Sequence, residues 1–160
     1  MIRVIVVSDT HDYTKYIVKV AKLIEKENPD IIIHLGDNYI DAEHLEYILE
    51  REIYKVPGNC DYRPEVPNSI VVEAGDISIF ASHGHLHDVK RAYSNLVRDA
   101  KENDCKIALY GHTHIANEDK KEGIKIFNPG SAAFPRGGQK RSIGLIEIEN
   151  TKIKTRLIYI

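Results

Sequence analysis

The alternation of short apolar runs with helix-forming segments most strongly constrains the fold of this chain. The runs Ile2–Val7 and Ile31–Leu35 are rich in β-branched residues, which is typical of buried parallel strands. Residues Thr14–Asn28 place apolar side chains on one helical face, and a second helix is expected near Asp41, a residue suited to the N-cap. A third strand is expected over Glu52–Val56. This alternation predicts a parallel sheet with right-handed crossovers.

The second half of the chain predicts antiparallel pairing as well. Ser69–Ala74 and Ile77–Ser82 are separated by a short turn and indicate a hairpin. A third helix is expected to begin at Asp88, followed by apolar residues at helical spacing. Ser142–Glu149 and Thr151–Tyr159 indicate a further antiparallel pair. Shorter strands are expected at 106–110 and 124–127. We therefore expect a single domain over residues 1–160, built of two packed sheets with helices outside.

Polar side chains follow five of the predicted strands, at the point where each strand ends. In open α/β sheets, ligand sites form outside the carboxyl ends of the strands. Aspartate and asparagine are also common in loops that only stabilise turns, so no single one of these residues predicts a site. Their convergence on one sheet edge does predict a metal site, because carboxylate, amide and imidazole groups all bind metals. The residues are Asp9, His11, Asp37, Asn59, His83, His112 and His114.

The segment Gly111–His114 carries the clearest local signal. A predicted strand ends at its glycine, and His112 and His114 follow one residue apart. Neutral imidazole is the commonest metal ligand among side chains. The pair fits two metal ions better than one, and the alternative is a surface turn that happens to hold histidines.

Five motifs occur in order along the chain: Asp9-Thr10-His11, Gly36-Asp37, Gly58-Asn59-Cys60-Asp61, His83-Gly84-His85 and Gly111-His112-Thr113-His114. Together they resemble the calcineurin-like metallophosphoesterase family, in its small phosphodiesterase branch. The resemblance implies an α/β fold, an αββα four-layer sandwich of two mixed sheets with helices outside, and a two-metal site. In that site Asp37 would bridge the two metals. Asp9, His11 and His114 would bind one metal, and Asn59, His83 and His112 the other.

The resemblance also implies a function. It indicates a metal-dependent phosphodiesterase that uses a water or hydroxide activated by two divalent ions, which such sites hold ~3.5–4 Å apart. Mixed imidazole and oxygen ligands suit transition metals better than calcium or magnesium. Manganese is expected, with nickel, iron, cobalt and zinc as alternatives. The alternative function is a non-catalytic, metal-binding scaffold for protein interactions, because the same branch resembles a retromer coat subunit.

Cys60 is the point at which the chain departs from the family pattern. Many members carry histidine there, as the proposed acid or phosphate contact beside the leaving group, and a thiol is a poor substitute for imidazolium. Protonation of the leaving group is therefore an open question. The candidate catalytic residues are Cys60 and His85, and for His85 a role in orienting a metal ligand is equally open. Asp61 is expected to fix its loop by hydrogen bonds.

Composition and charge exclude some classes of partner. The formal net charge is −2, and no aromatic stacking platform or basic stripe predicts binding to a long nucleic acid. No apolar run approaches the ~18 residues of a membrane-spanning helix. The first residues lack the features of a signal peptide, and Cys60 and Cys105 make no disulfide framework, so we expect a cytoplasmic protein with free thiols. The expected partner is a small phosphodiester substrate, and self-association into a homo-oligomer is left open.

Overall fold

The computed structural model describes all residues from 1 to 160. The helices are α1 (Thr14–Glu27), α2 (Tyr39–Leu49) and α3 (Ser94–Glu102), with a short 3-10 turn over His85–His87. The strands are β1 (Ile2–Val7), β2 (Ile31–His34), β3 (Tyr54–Lys55), β4 (Ser69–Ala74), β5 (Ile77–Ser82), β6 (Ile107–Leu109), β7 (Asn117–Lys121), β8 (Ile124–Asn128), β9 (Ser142–Glu149) and β10 (Lys152–Tyr159). None of the helices combines the length and apolar character that crossing a membrane requires.

The strands form two five-stranded sheets. The first has the order β10-β9-β1-β2-β3, and the second has the order β4-β5-β6-β8-β7. In the first sheet, β1, β2 and β3 are parallel, whereas β9 is antiparallel to both β1 and β10. In the second, β5, β6 and β8 are parallel, whereas β4 and β7 pair antiparallel at the two edges. Both sheets are therefore mixed.

The apolar side chains divide into three layers of core. Successive residues of a strand face opposite sides of its sheet, and in β1 the side chains of Val4 and Val6 enter the core between the two sheets. Ile5 faces the other way and belongs to the cluster that includes Ile17 and Ile24 of α1. On the far side, Leu96, Val97 and Ala100 of α3 belong to the cluster that covers the outer face of the second sheet. This arrangement confirms the predicted αββα four-layer sandwich.

Two predicted features of the helices are wrong. Helix α2 begins at Tyr39, and its N-cap is Asn38, whose side-chain oxygen accepts a hydrogen bond from the backbone of Ile40. Asp41 instead lies inside the helix, fully buried, and accepts a hydrogen bond from the backbone N–H of Asp12 at 2.8 Å. The true cap lies three positions before the predicted one. Asparagine and aspartate both carry the short oxygen-bearing side chain that caps prefer, so the sequence alone does not distinguish them.

Helix α3 also begins later than predicted. Asp88 adopts a left-handed conformation with φ of 54°, so the chain turns before the helix starts at Ser94. Val89 and Tyr93, which were placed on the apolar face of the predicted helix, still pack in the same outer cluster. Their helical spacing therefore reflects burial rather than helical structure.

The parallel strands bring their carboxyl ends to one edge of each sheet. Strands β1 and β2 end together in the first sheet, with Val7 paired to His34. Strands β5 and β6 end together in the second, with Ala81 paired to Leu109. The loops that follow these strands, and the loop that follows β3, meet at one end of the sandwich.

Candidate metal centre

Five of the seven predicted ligands have a left-handed backbone conformation. Non-glycine residues rarely adopt positive φ, and such residues cluster at functional sites. These residues lie in the loops that follow β1, β2 and β6, so the left-handed backbone turns each loop at the end of its sheet. The five φ values are 56° for Asp9, 47° for His11, 45° for Asp37, 65° for His112 and 58° for His114.

One donor group consists of Asp9, His11 and His114. The Nε2 atom of His114 lies 3.2 Å from Asp9 Oδ1 and 3.2 Å from the Nε2 atom of His11. The Nε2 atom of His11 lies 3.9 Å from Asp9 Oδ1. Three donor atoms that converge within these distances can hold a single ion.

A second donor group lies beside the first and is built on Asp37. The Nε2 atom of His83 lies 3.4 Å from Asp37 Oδ2 and 3.1 Å from the side-chain oxygen of Asn59. The ring of His112 lies next to that of His83, with 5.1 Å between the ring centroids. Asp37 Oδ2 also lies 3.9 Å from the Nε2 atom of His11. Asp37 therefore contacts residues of both groups, and Asp9 does so as well, because its Oδ1 lies 4.0 Å from the Nε2 atom of His83.

Two of the imidazoles are held by backbone carbonyls on the side away from the centre. The Nδ1 atom of His83 lies 2.7 Å from the carbonyl oxygen of Leu35, and that of His114 lies 2.7 Å from the carbonyl oxygen of Phe134. A carbonyl only accepts, so each Nδ1 must carry the proton and donate it. The Nε2 atom of each ring therefore faces the centre, where it would bind a metal ion once it loses its proton, which is the arrangement of metal-binding histidines. In the absence of an ion, the neighbouring carboxylates raise the pKa of both rings.

Asp9 shows most directly that the donor set fits a cation. Its Oδ2 accepts hydrogen bonds from the Ser8 hydroxyl at 2.6 Å and from the backbone N–H of His112 at 3.1 Å. Its Oδ1 is buried and has no hydrogen-bond partner, although it lies 3.2 Å from the Nε2 atom of His114. A buried carboxylate oxygen without a donor is costly. A metal ion between these atoms would satisfy both the oxygen and the imidazole nitrogens.

The protonation states also follow from the geometry. Burial works against ionisation of Asp37, but hydrogen bonds from His83 and Cys60 outweigh it and hold the pKa of Asp37 far below its usual range. Burial, together with the neighbouring His83, lowers the pKa of His112 to about 4, so this ring is neutral at pH 7. Burial opposes protonation of His83, but the carboxylates of Asp37 and Asp9 more than compensate and raise its pKa.

The two candidate catalytic residues lie at the edge of the centre. Cys60 is exposed, and its backbone N–H donates to Asp37 Oδ1 at 3.0 Å. Its sulfur lies within 4.8 Å of donor atoms of His11 and Asp37. Burial and the charge of Asp37 raise the pKa of the thiol to about 11, so it is uncharged at neutral pH. The ring of His85 lies 5.4 Å from that of His83, and burial lowers its pKa.

Two glycines allow the loops to approach the carboxylates. A Cβ atom on Gly58 would collide with the carboxylate of Asp37, and one on Gly111 would collide with Ser8 and lie 2.8 Å from Asp9 Oδ2. Both glycines have negative φ, so their role is the space that they leave rather than an unusual backbone conformation. Replacing either with alanine would displace a predicted ligand.

Residues outside the predicted ligand set hold the loops in place. As predicted, Asp61 fixes its loop: its carboxylate accepts hydrogen bonds from three backbone N–H groups, which are those of Asp37, Tyr39 and Gly58. Sequence reasoning did not anticipate the role of Ser131, whose hydroxyl donates to the carbonyl of Asp9. The Asn128 side chain donates to the carbonyl of Gly111 and so supports the histidine loop. The Asn128-Pro129-Gly130-Ser131 motif was the available signal.

The chain matches the model of the calcineurin-like phosphoesterase superfamily domain over residues 2–151. It is 32% identical over 154 residues to the probable metallophosphoesterase YsnB of Bacillus subtilis, covering 96% of this chain and 88% of that protein. It is 26% identical over 171 residues to the phosphodiesterase YfcE of Escherichia coli, covering 92% of this chain and 88% of that protein.

Solved structures share the same architecture. A protein from Streptococcus pneumoniae described as a predicted phosphoesterase superposes with a TM-score of 0.84 at 28% identity, covering 98% of this chain and 88% of the other. A Vps29 variant from Entamoeba histolytica superposes with a TM-score of 0.78 at 20% identity, covering 99% of both chains. The second likeness shows the fold alone.

Proposed function

Because the chain belongs to the calcineurin-like phosphoesterase superfamily, we propose that it is a phosphodiesterase that hydrolyses small phosphodiesters at a two-metal site. The name of the relative YfcE supports diesters as the substrate class. The observation that carries the proposal is the buried Oδ1 of Asp9, which has no hydrogen-bond partner and lies 3.2 Å from the Nε2 atom of His114. A metal ion between these atoms would satisfy the oxygen and the imidazole nitrogen together.

The residues of the two donor groups have separate roles. We assign Asp9, His11 and His114 to one metal, Asn59, His83 and His112 to the other, and Asp37 to both. When bound, a pair of transition-metal ions lowers the pKa of a shared water and neutralises phosphoryl oxygens during in-line attack. Mixed nitrogen and oxygen donors favour ions such as manganese, nickel, iron, cobalt or zinc.

The chain's own groups prepare the site for this chemistry. Asp37 is ionised at all working pH values because its pKa is depressed, so it offers both oxygens. The carbonyls of Leu35 and Phe134 fix the tautomers of His83 and His114. Cys60 is a weak proton donor at neutral pH because its pKa is raised to about 11. The leaving group therefore departs with little help from a side-chain acid, which favours esters of acidic alcohols.

Metal reconstitution combined with hydrolysis of bis(p-nitrophenyl) phosphate tests the proposal. We expect about two manganese ions per chain by elemental analysis, hydrolysis that stops on chelation, and slower turnover of the monoester p-nitrophenyl phosphate. Asp37→Asn should abolish turnover, whereas the matched variant Asp76→Asn, in the exposed β4–β5 turn, should not. Metal content near zero, or hydrolysis that chelation does not affect, would contradict the proposal.

The scaffold function is the second candidate, and the fold shared with Vps29 is the observation that favours it. A scaffold has no need of converging metal donors, whereas Asp9, His11, Asp37, His83 and His114 place donor atoms within 4.8 Å of one another in groups of three. Two bound metals without hydrolysis of any aryl or alkyl diester would favour the scaffold over the enzyme.

A further inference from the structure

A cavity of about 570 Å³ opens directly beside the candidate metal centre. His11 and His114 form one wall, and the segment 133–136 together with Arg141 forms the other. Its volume lies within the ~300–1,000 Å³ typical of small-molecule sites. An ester group on a phosphorus atom bound at the metal centre can therefore extend into this cavity.

A row of aromatic rings leads away from the metal centre: Phe134 lines the cavity, and Tyr13 and Tyr16 continue the row beyond it. The ring of Phe134 meets that of His11 edge to face at 5.8 Å, and meets that of Tyr13 edge to face at 5.1 Å. Tyr13 in turn stacks on Tyr16, with 5.5 Å between centroids and an angle of 22°. Tyr13 and Phe134 are 46% and 43% exposed, which is high for large apolar residues packed against each other. The sequence did not reveal this row because Phe134 lies far from the tyrosines along the chain.

Hydrogen bonds hold this aromatic row rigidly against the centre. The backbone N–H of Phe134 donates to the Ser131 hydroxyl oxygen at 2.8 Å, and its carbonyl accepts from His114. The guanidinium of Arg141 lies 4.4 Å from the centroid of Tyr16 and donates to the carbonyl of Ala133 at 2.8 Å. The surface is thus formed before any ligand arrives, which lowers the entropic cost of binding.

Arg136 provides an uncommitted positive charge at the same cavity. It lines the cavity, its side chain is exposed, and it makes no ion pair. Its backbone N–H donates to the carbonyl of His114 at 2.9 Å, which fixes its position relative to the centre. Arg141 also lines the cavity, but its guanidinium is occupied by Tyr16 and Ala133. Arg136 is therefore the cation that is free to attract an anionic ligand.

We propose that the site is selective for phosphodiesters in which one esterified group carries a flat aromatic ring, and that Phe134 and Tyr13 bind this ring. This rests on the proposed function and names the substrate class of the same site. Stacking on an aromatic side chain suits any flat ring, because every such ring has a π-face. The net charge of −2 disfavours a long nucleic acid, so we expect the preferred esters to be small and nucleotide-sized.

Direct binding to the manganese-loaded protein, measured by calorimetry, tests the proposal. The probes are adenosine 5′-monophosphate and ribose 5-phosphate, which share the phosphate and the sugar and differ in the base. We expect the nucleotide to bind at least ~10-fold more tightly, as one stacked base provides. Phe134→Leu should bring this ratio close to one. It keeps the backbone groups that hold Ser131 and His114.

A matched variant separates the aromatic row from general effects of removing an exposed ring. Tyr47→Leu removes a ring that is 87% exposed on α2, and it should leave the binding ratio unchanged. Equal binding of the two probes to the wild type, or a binding ratio that Phe134→Leu does not change, would overturn the proposed selectivity. The proposed phosphodiesterase function would still stand in that case. Binding of neither probe, together with no hydrolysis of bis(p-nitrophenyl) phosphate, would reject both proposals.

Discussion

Replacing Asp61 with alanine is expected to loosen the two loops that carry Asp37 and Asn59. The Asp61 carboxylate accepts three backbone hydrogen bonds, at 3.0 Å from Asp37, 2.9 Å from Tyr39 and 2.9 Å from Gly58. The three donor residues are buried, so alanine would leave N–H groups that water reaches poorly. The substitution should therefore affect both folding stability and metal binding.

The size of the effect can be estimated from these contacts. Hydrogen bonds to a charged acceptor contribute ~1.5–3 kcal/mol each, so three set an upper limit of about 5–9 kcal/mol. Asp61 itself is partly exposed, and water would replace part of what is lost. We expect Asp61→Ala to lower the free energy of unfolding by ~2–4 kcal/mol, out of the ~5–15 kcal/mol typical of a domain. Asp61→Asn keeps one acceptor oxygen and should cost about half as much.

Urea unfolding of the metal-free protein measures this change, and elemental analysis after manganese loading measures metal retention. We expect fewer than two ions per chain in Asp61→Ala, because the two loops that carry Asp37 and Asn59 are no longer held together. Asp76→Ala, in the exposed β4–β5 turn, is the control and should stay within ~0.5 kcal/mol of the wild type. A loss below ~1 kcal/mol in Asp61→Ala with full metal content would refute the reasoning.

Asp37→Ala should reduce kcat/KM for an aryl diester more than His112→Ala does, because Asp37 lies between both donor groups, and equal losses would argue against a bridging role. Cys60→His should accelerate an alkyl diester more than an aryl one, by up to the ~10²–10⁴-fold of a positioned acid. An unchanged ratio at equal metal content would place the acid elsewhere. A thiol reagent should count Cys60 alone in the native protein and Cys105 only after denaturation, because Cys105 is buried. Two rapid equivalents in the native state would contradict this. Burial lowers the pKa of His34 from 6.5 to about 4, so the unfolded chain binds the proton more readily. The contribution of neutral His34 to the free energy of unfolding should be complete above pH 6.5 and be lost as the pH falls toward 4. The urea midpoint of His34→Gln should therefore depend less on pH over this range than that of the wild type.

The strands were predictable where the sequence carries apolar residues at strand spacing and unpredictable where it carries none. Strands β1, β4, β5 and β9 occupy the predicted residues, because buried strands need continuous or alternating apolar residues. Strand β7 was missed, since Asn117–Lys121 is entirely polar and forms an edge of the second sheet. Its pairing with β8 supplies the register, so no apolar pattern is required. Edge strands of this kind commonly carry charged residues that prevent aggregation.

In the candidate site, the positions of the predicted ligands were predictable from the sequence, but the groups that orient them were not. The sequence places the seven predicted ligands after strands, and parallel pairing brings the loops that carry them to one end of the sandwich, as motif and topology reasoning predicts. The groups that orient these ligands could not be predicted, because two of them are backbone carbonyls, those of Leu35 and Phe134, which any residue type supplies. Asn59 is exposed, whereas the other six predicted ligands are buried or half-buried. Its side-chain oxygen lies 3.1 Å from the Nε2 atom of His83.

The left-handed backbone at five predicted ligand positions limits which amino acids can evolve or be engineered there. Asparagine, aspartate and histidine adopt this conformation several times more often than other non-glycine residues, and β-branched residues are strongly disfavoured. The backbone at these positions therefore favours oxygen and nitrogen donors before any ion is bound. The two remaining ligands, Asn59 and His83, have no positive φ. Attempts to change the metal preference, for example by introducing a thiolate, should succeed more readily at Asn59 and His83 than at the other five positions.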